Sequence, residues 1–162
     1  MDVQIGFSST SKTLSWLIRA ITGKPCSHTF ILFECEDFKT PMVLEHSLGY
    51  GLDLLTLEDF LRENTILQLI KVDWDLSSAV RTQLERLGEP YNFSGLLGML
   101  VVLAGRRLQL PWRNPFRRAD RRLCTEVVVH VLQEAGFPGA HALRAEDLGP
   151  EDVRQFLLSS AR

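Results

Sequence analysis

The chain has 162 residues, 45% hydrophobic and 23% charged, with a formal net charge of −2. That is the composition of one globular domain spanning 1–162, and it excludes a disordered, collagenous or strongly basic nucleic-acid-binding chain. Three cysteines, at 26, 35 and 124, stand without tight pair spacing, which excludes a disulfide framework and a zinc cluster and suits a reducing compartment.

The N-terminal MDVQIGFSST lacks the charged and long apolar regions of a leader. The longest apolar run, Leu96 to Ala104, is about half of the roughly 20 residues of a membrane span. A cytoplasmic protein is expected, or one delivered by a secretion or phage lysis route. Residues 10–22 place Leu14, Leu17, Ile18 and Ile21 on one helical face, with Thr10 or Ser11 to cap it and Gly23-Lys24-Pro25 to end it. Residues 27–35 are dense in aromatic and β-branched types and read as a strand. Met42 to Ser47 reads as a second strand after a turn, and Leu52–Leu55 as a short third one after Gly49-Tyr50-Gly51. Thr56-Leu57-Glu58-Asp59 has a capping-box pattern opening a short helix. Thr65 to Val72 reads as a further strand. Leu76–Leu87 is an amphipathic helix broken by Gly88-Glu89-Pro90, and Phe93–Leu103 an apolar one. Residues 106–122 read as a loop, Thr125–Ala135 as a helix stopped by Gly136 and Pro138, and Pro150-Glu151-Asp152 as the start of a last short helix. The sum is an α+β fold, an antiparallel sheet packed against helices.

Cys124 carries the chemical signal. It lies in Arg121-Arg122-Leu123-Cys124-Thr125-Glu126, where a basic loop becomes an apolar helix. Backbone N–H groups at a helix start are unpaired and partly positive, so a thiol there is pushed toward thiolate. Such a nucleophile needs a base, and the base an orienting group. His130 sits six residues along the same helix and points about 120° away. His141 lies in a Gly-Ala-His-Ala loop. His28, at the head of the first expected strand, is placed to meet the helix. Cys26 shares a strand face with His28 at roughly 6.5–7 Å, too far for a hydrogen-bonded pair. Cys26 and Cys35 therefore read as structural. The next strand offers Glu45 and His46 as orienting groups. Adjacent strand positions face opposite sides, so one of the two faces His28, and the pattern leaves both open.

Three blocks together resemble the permuted NlpC-type branch of papain-like cysteine hydrolases, the YiiX-like group. They are Ser27-His28-Thr29-Phe30-Ile31, then Val43-Leu44-Glu45-His46 with Gly49 and Gly51, then Leu123-Cys124-Thr125-Glu126-Val127-Val128. Leu87-Gly88-Glu89-Pro90-Tyr91-Asn92 is similar to the stretch these proteins carry before the cysteine helix. The resemblance spans roughly residues 5–158 and implies a circularly permuted papain-like fold, with the histidine strand ahead of the cysteine helix. It implies Cys124 as nucleophile, His28 as base and acid, and Glu45 as the third residue, with His46 the alternative. The implied activity is hydrolysis of an amide, as by a peptidase or amidase of peptidoglycan peptides. A lipid or thioester acyl hydrolase or acyltransferase is the alternative, or a non-catalytic binding module. No cofactor or metal is implied. The Cys124 backbone N–H can serve an oxyanion, with Tyr91, Arg121 and Arg122 as further oxyanion or substrate candidates.

Arg106, Arg107, Arg113, Arg117, Arg118, Arg121 and Arg122 crowd 106–122, with Trp112 and Phe116 among them and Asp120 the one acid. The segment reads as a border of the active site, as a binder of an anionic ligand, or as a contact to an anionic membrane. No nucleic-acid partner is expected.

Overall fold

The computed structural model describes residues 1–116 and 121–160. It opens on β1 (Asp2–Thr10), a strand absent from the sequence expectation. Val3, Ile5 and Phe7 alternate with Gln4, Gly6 and Ser8, the period of a strand. Both of its edges are used. It pairs antiparallel with β2 (His28–Glu34) on one side and with β5 (Asn64–Ile70) on the other. With β3 (Met42–Ser47) and β4 (Gly51–Thr56) the sheet order is β4-β3-β2-β1-β5, antiparallel throughout. The α+β architecture expected from the sequence is present.

Each face of the sheet has its own cover. Ile5, Phe7, Ile31, Phe33 and Leu44 face α5 (Cys124–Glu134), which presents Val127, Val128 and Val131. Each side chain buried there contributes roughly 1.5–3 kcal/mol by leaving water. Phe30, Leu32 and Val43 face Phe60 of α2 (Leu57–Leu61) on the other side. Thr56 caps α2 as its pattern predicts, its hydroxyl accepting from the Asp59 N–H at 3.1 Å.

The helix α1 (Thr13–Thr22) begins after Lys12, one or two residues beyond the expected Thr10 or Ser11 cap, and ends at Gly23 in the left-handed region with φ 67°. Beside it lies α4 (Phe93–Arg107), joined through Ile18 against Leu96, Met99, Leu100 and Leu103. This helix runs past the expected Leu103 end, so Arg106 and Arg107 belong to its last turn rather than to a loop. Residues 108–116 then return along it as a strap. Trp112 crosses Gly105 and Asn114 crosses Gly98, where a Cβ would fall 2.7 Å and 1.8 Å from the respective side chains. Asn114 Nδ2 donates to the Gly95 carbonyl at 2.8 Å and the Glu146 carbonyl at 3.0 Å. The amphipathic helix α3 (Ser77–Leu84) packs on α5, as does the last helix, here α6 (Pro150–Ser160). All three cysteines are free thiols, and among the described residues no helix is long and apolar enough to cross a membrane.

One glycine fixes how closely β1 and β2 pack under the site. Gly6 pairs with Phe30, and a Cβ at Gly6 would lie 2.1 Å from the end of the Phe30 ring. That ring cannot swing away, because it packs on Phe60 with centroids 4.4 Å apart. Gly6→Ala is therefore expected to destabilise by about 1–3 kcal/mol, the usual cost of overpacking. In an unobstructed strand the same change would stabilise slightly. Urea unfolding checks it, and Phe30→Leu in the Gly6→Ala background should recover part of the loss.

Candidate active site

The site forms where the start of β2 meets the start of α5. The Ser27 N–H donates to the Ser8 carbonyl at 3.0 Å, and the Ser27 and Ser15 hydroxyls are hydrogen-bonded at 2.5 Å. These bonds tie α1 to the residue just before His28. The β2–β3 register pairs Phe30 with Glu45. His28 thus shares a sheet face with Glu45 and lies diagonally across from it, within reach of a long side chain. His28 Nε2 donates to Glu45 Oε2 at 2.7 Å, and both side chains are largely buried. His28 also stacks on Phe60, with centroids 6.5 Å apart. With Nε2 committed to the carboxylate, Nδ1 is the ring nitrogen left for the thiol.

Cys124 is 8% exposed and occupies the first position of α5. Burial pushes its thiol up, but the His28 charge, a side-chain hydrogen bond with His28, and the N–H and hydroxyl of Thr29 outweigh this and bring it below 9.0. Burial likewise favours neutral His28. The negative Cys124, its hydrogen bond and the Glu45 carboxylate reverse that and raise the imidazole to about 10. Each group thus favours the ionised form of the other, and their titration belongs to the pair. Thr29 is a residue that sequence reasoning missed. It neighbours His28 on the opposite strand face, the side on which α5 packs, and its buried hydroxyl has no hydrogen-bond partner among the described residues, which leaves it available to the nearby thiol.

Cys124, His28 and Glu45 line a cavity of about 380 Å³ together with Leu14, Ile18, Leu48, Tyr50, His46 and Tyr91. His46 is 1% exposed and stacks on Tyr91 with centroids 5.3 Å apart. It faces the opposite side of β3 from Glu45, and burial lowers its imidazole to about 4, so it is neutral. The Tyr91 phenol is held well above its ordinary value, first by burial and then by the charges of Cys124 and Glu126, so it keeps its proton as a donor.

The arginines lie elsewhere. Arg122 is buried with its guanidinium on Gln83 Oε1 at 2.6 Å and on the Glu89 carboxylate. It braces the 88–92 segment against α5, and the Asn92 N–H donates to the Arg122 carbonyl at 3.0 Å. It does not reach the cavity, which corrects its expected place as an oxyanion or substrate group. Arg121 is half-buried and also not part of the cavity wall. Arg106 pairs with Asp152 at 2.8 Å, while Arg117, Arg118 and Asp120 lie outside the described residues. His130 approaches Arg122 at 3.5 Å and not Cys124, and His141 is exposed. The Cys26 thiol is pushed up to about 12 by burial.

No protein-family profile matches the chain, and no curated protein matches it. The fold is shared with the crystal structure of metalloprotein YiiX from Escherichia coli O157:H7. The two are 21% identical with a TM-score of 0.57, and the match covers 83% of this chain and 66% of that one. The likeness is one of fold.

Glu126 is the second residue that sequence reasoning left without a role in the site. Its carboxylate accepts from the Leu123 N–H at 2.6 Å and so closes the helix start under the thiol. Burial raises its carboxyl from 4.5 to about 7. The folded state therefore binds the proton more tightly than the unfolded chain. Stability from this group is full below pH 4.5 and is lost as pH rises through about 7. Glutamine keeps the accepting oxygen without the charge. Glu126→Gln is expected to match the parent near pH 4.5 and to exceed it by up to ~3 kcal/mol above pH 7, at about 1.4 kcal/mol per pH unit. Denaturant titrations at the two pH values check this.

Proposed function

We propose that the chain is a cysteine hydrolase that cleaves an amide bond through Cys124, His28 and Glu45. The observation that supports it is the 2.7 Å His28–Glu45 hydrogen bond beside a thiol at a helix start whose ionisation is coupled to the same imidazole. In this reading the Cys124 thiolate attacks the carbonyl carbon and the C–N bond breaks. The His28 imidazolium gives its proton to the departing amine, leaving a thioester on Cys124. Neutral His28 then takes a proton from water, hydroxide attacks the thioester, and the thiolate and imidazolium are restored as the acid leaves. Glu45 holds the ring in the productive tautomer and stabilises its charged form. The negative oxygen of each tetrahedral intermediate is served by the Cys124 N–H, one of the helix's unpaired donors, and by the Tyr91 hydroxyl.

YiiX is a metalloprotein, but among the described residues here no three histidine, cysteine or acidic side chains gather in a set that would hold a metal. The residues do not fit that group, and the chemistry above runs without it.

A second reading keeps the triad and changes the bond to an ester or thioester of an acyl chain. Leu14, Ile18, Leu48 and Tyr91 favour it, because they make much of the cavity wall apolar. A panel of peptide amides and acyl thioesters, with the acyl-enzyme trapped and weighed, separates the two. Cys124→Ala is expected to abolish turnover and adduct on either class. Glu45→Gln is expected to slow turnover by roughly 10²–10⁴-fold, the range for disabling acid–base catalysis. His46→Gln should change it much less. Equal losses from Glu45→Gln and His46→Gln, or turnover surviving Cys124→Ala, would overturn the assignment.

A further inference from the structure

A helix that is apolar on all sides is ordinarily buried on all sides. α4 is apolar around its circumference, yet Phe93, Leu97, Val101 and Leu108 recur along one stripe and are 44–67% exposed. The strap adds Trp112, half-exposed beside that stripe where it crosses Gly105. Contiguous apolar surface of this kind marks an interaction site. The charge around it narrows the partner. In a chain of net charge −2, residues 3–33 and 90–116 hold no aspartate or glutamate but six lysines and arginines. Lys12 and Arg106 have carboxylate partners in Glu63 and Asp152. Lys24 lies beside Glu151. Among the described residues Arg19, Arg107 and Arg113 have no carboxylate partner, Arg19 and Arg107 donating instead to backbone carbonyls of β1 and α1.

We infer that the face made by α1, α4 and the 108–116 strap docks on an anionic lipid bilayer. Its apolar ridge sits at the acyl boundary, Trp112 at the interface, and Arg107 and Arg113 among the headgroups. A second copy of the chain is the poorer occupant, because a two-fold contact would set the same cations against each other. The face adjoins the cavity. Thr13, Leu14 and Ile18 of α1 line it, and Tyr91 leads directly into Phe93. Docking would bring the Cys124 cavity to the bilayer surface, but the docking itself does not depend on the hydrolase reading.

The test is co-sedimentation of the full chain with vesicles of phosphatidylglycerol and phosphatidylcholine, against phosphatidylcholine alone, with tryptophan emission followed in parallel. Binding is expected only with the anionic lipid, with a blue shift, and to weaken as salt is raised. Arg107→Gln and Arg113→Gln should each lower the partition coefficient about fivefold. The exposed pair Leu97→Asp with Val101→Asp should remove the blue shift while leaving the far-UV spectrum intact. Cys124→Ala should bind as the parent does, so loss of catalysis and loss of docking are separable. No sedimentation above that with neutral vesicles would overturn the inference. So would a solution dimer that the Leu97→Asp and Val101→Asp pair converts to monomer.

Discussion

The site depends on the pairing of β2 with β3 in one register. Phe30 opposite Glu45 sets His28 diagonal to that carboxylate and closes the 2.7 Å hydrogen bond between them. A one-residue slip would turn Glu45 to the other face and bring His46 or Leu44 round in its place. The register is held by burial on both sides. Phe30, Leu32 and Val43 must stay against Phe60, and Ile31, Phe33 and Leu44 against α5. The His28–Glu45 geometry is thus a consequence of the packing of two apolar layers, and Gly6 belongs to it although it touches neither side chain.

The other half of the site comes from the start of α5. Its first turn carries Cys124, is closed by the Glu126 carboxylate on the Leu123 N–H, and is braced from below by buried Arg122 on Glu89. A buried ion pair is costly to break from one side, because the partner is left charged and unsolvated. Arg122 therefore acts through the backbone it holds. The same brace carries the 88–92 segment, which delivers Tyr91 to the cavity and stacks it on His46. His46 is thereby spent on packing, neutral and buried, which leaves Glu45 as the side chain that meets His28.

Much of this was legible in the sequence, and the gaps have physical reasons. His28, Glu45 and Cys124 are in short motifs whose order and strand or helix context could be read directly. The strand pattern alone does not choose between Glu45 and His46, and only the family resemblance favours Glu45, because alternation says that they face opposite sides and the register says which side holds His28. β1 carries a clear alternation in Val3, Ile5 and Phe7, but its importance lies in non-local pairing with both β2 and β5. Arg122 looked like its neighbours in an arginine-rich run. Its burial is decided by Glu89 and Gln83, far away in sequence. Thr29 was hidden for a related reason: its value to the thiol arises only where the strand end and the helix start come together.

The account turns on one claim, that Cys124 and His28 form an ion pair oriented by Glu45. The most direct measurement is the rate of iodoacetamide alkylation at Cys124 against pH, with the modified residue located by mass. In the parent chain the rate should rise at a pH below the ordinary 9.0 of a thiol. In His28→Ala that early rise should vanish, leaving a thiol raised above 9.0 by its burial. A parent rate that rises only through the ordinary thiol range, or one that His28→Ala leaves unchanged, would contradict it.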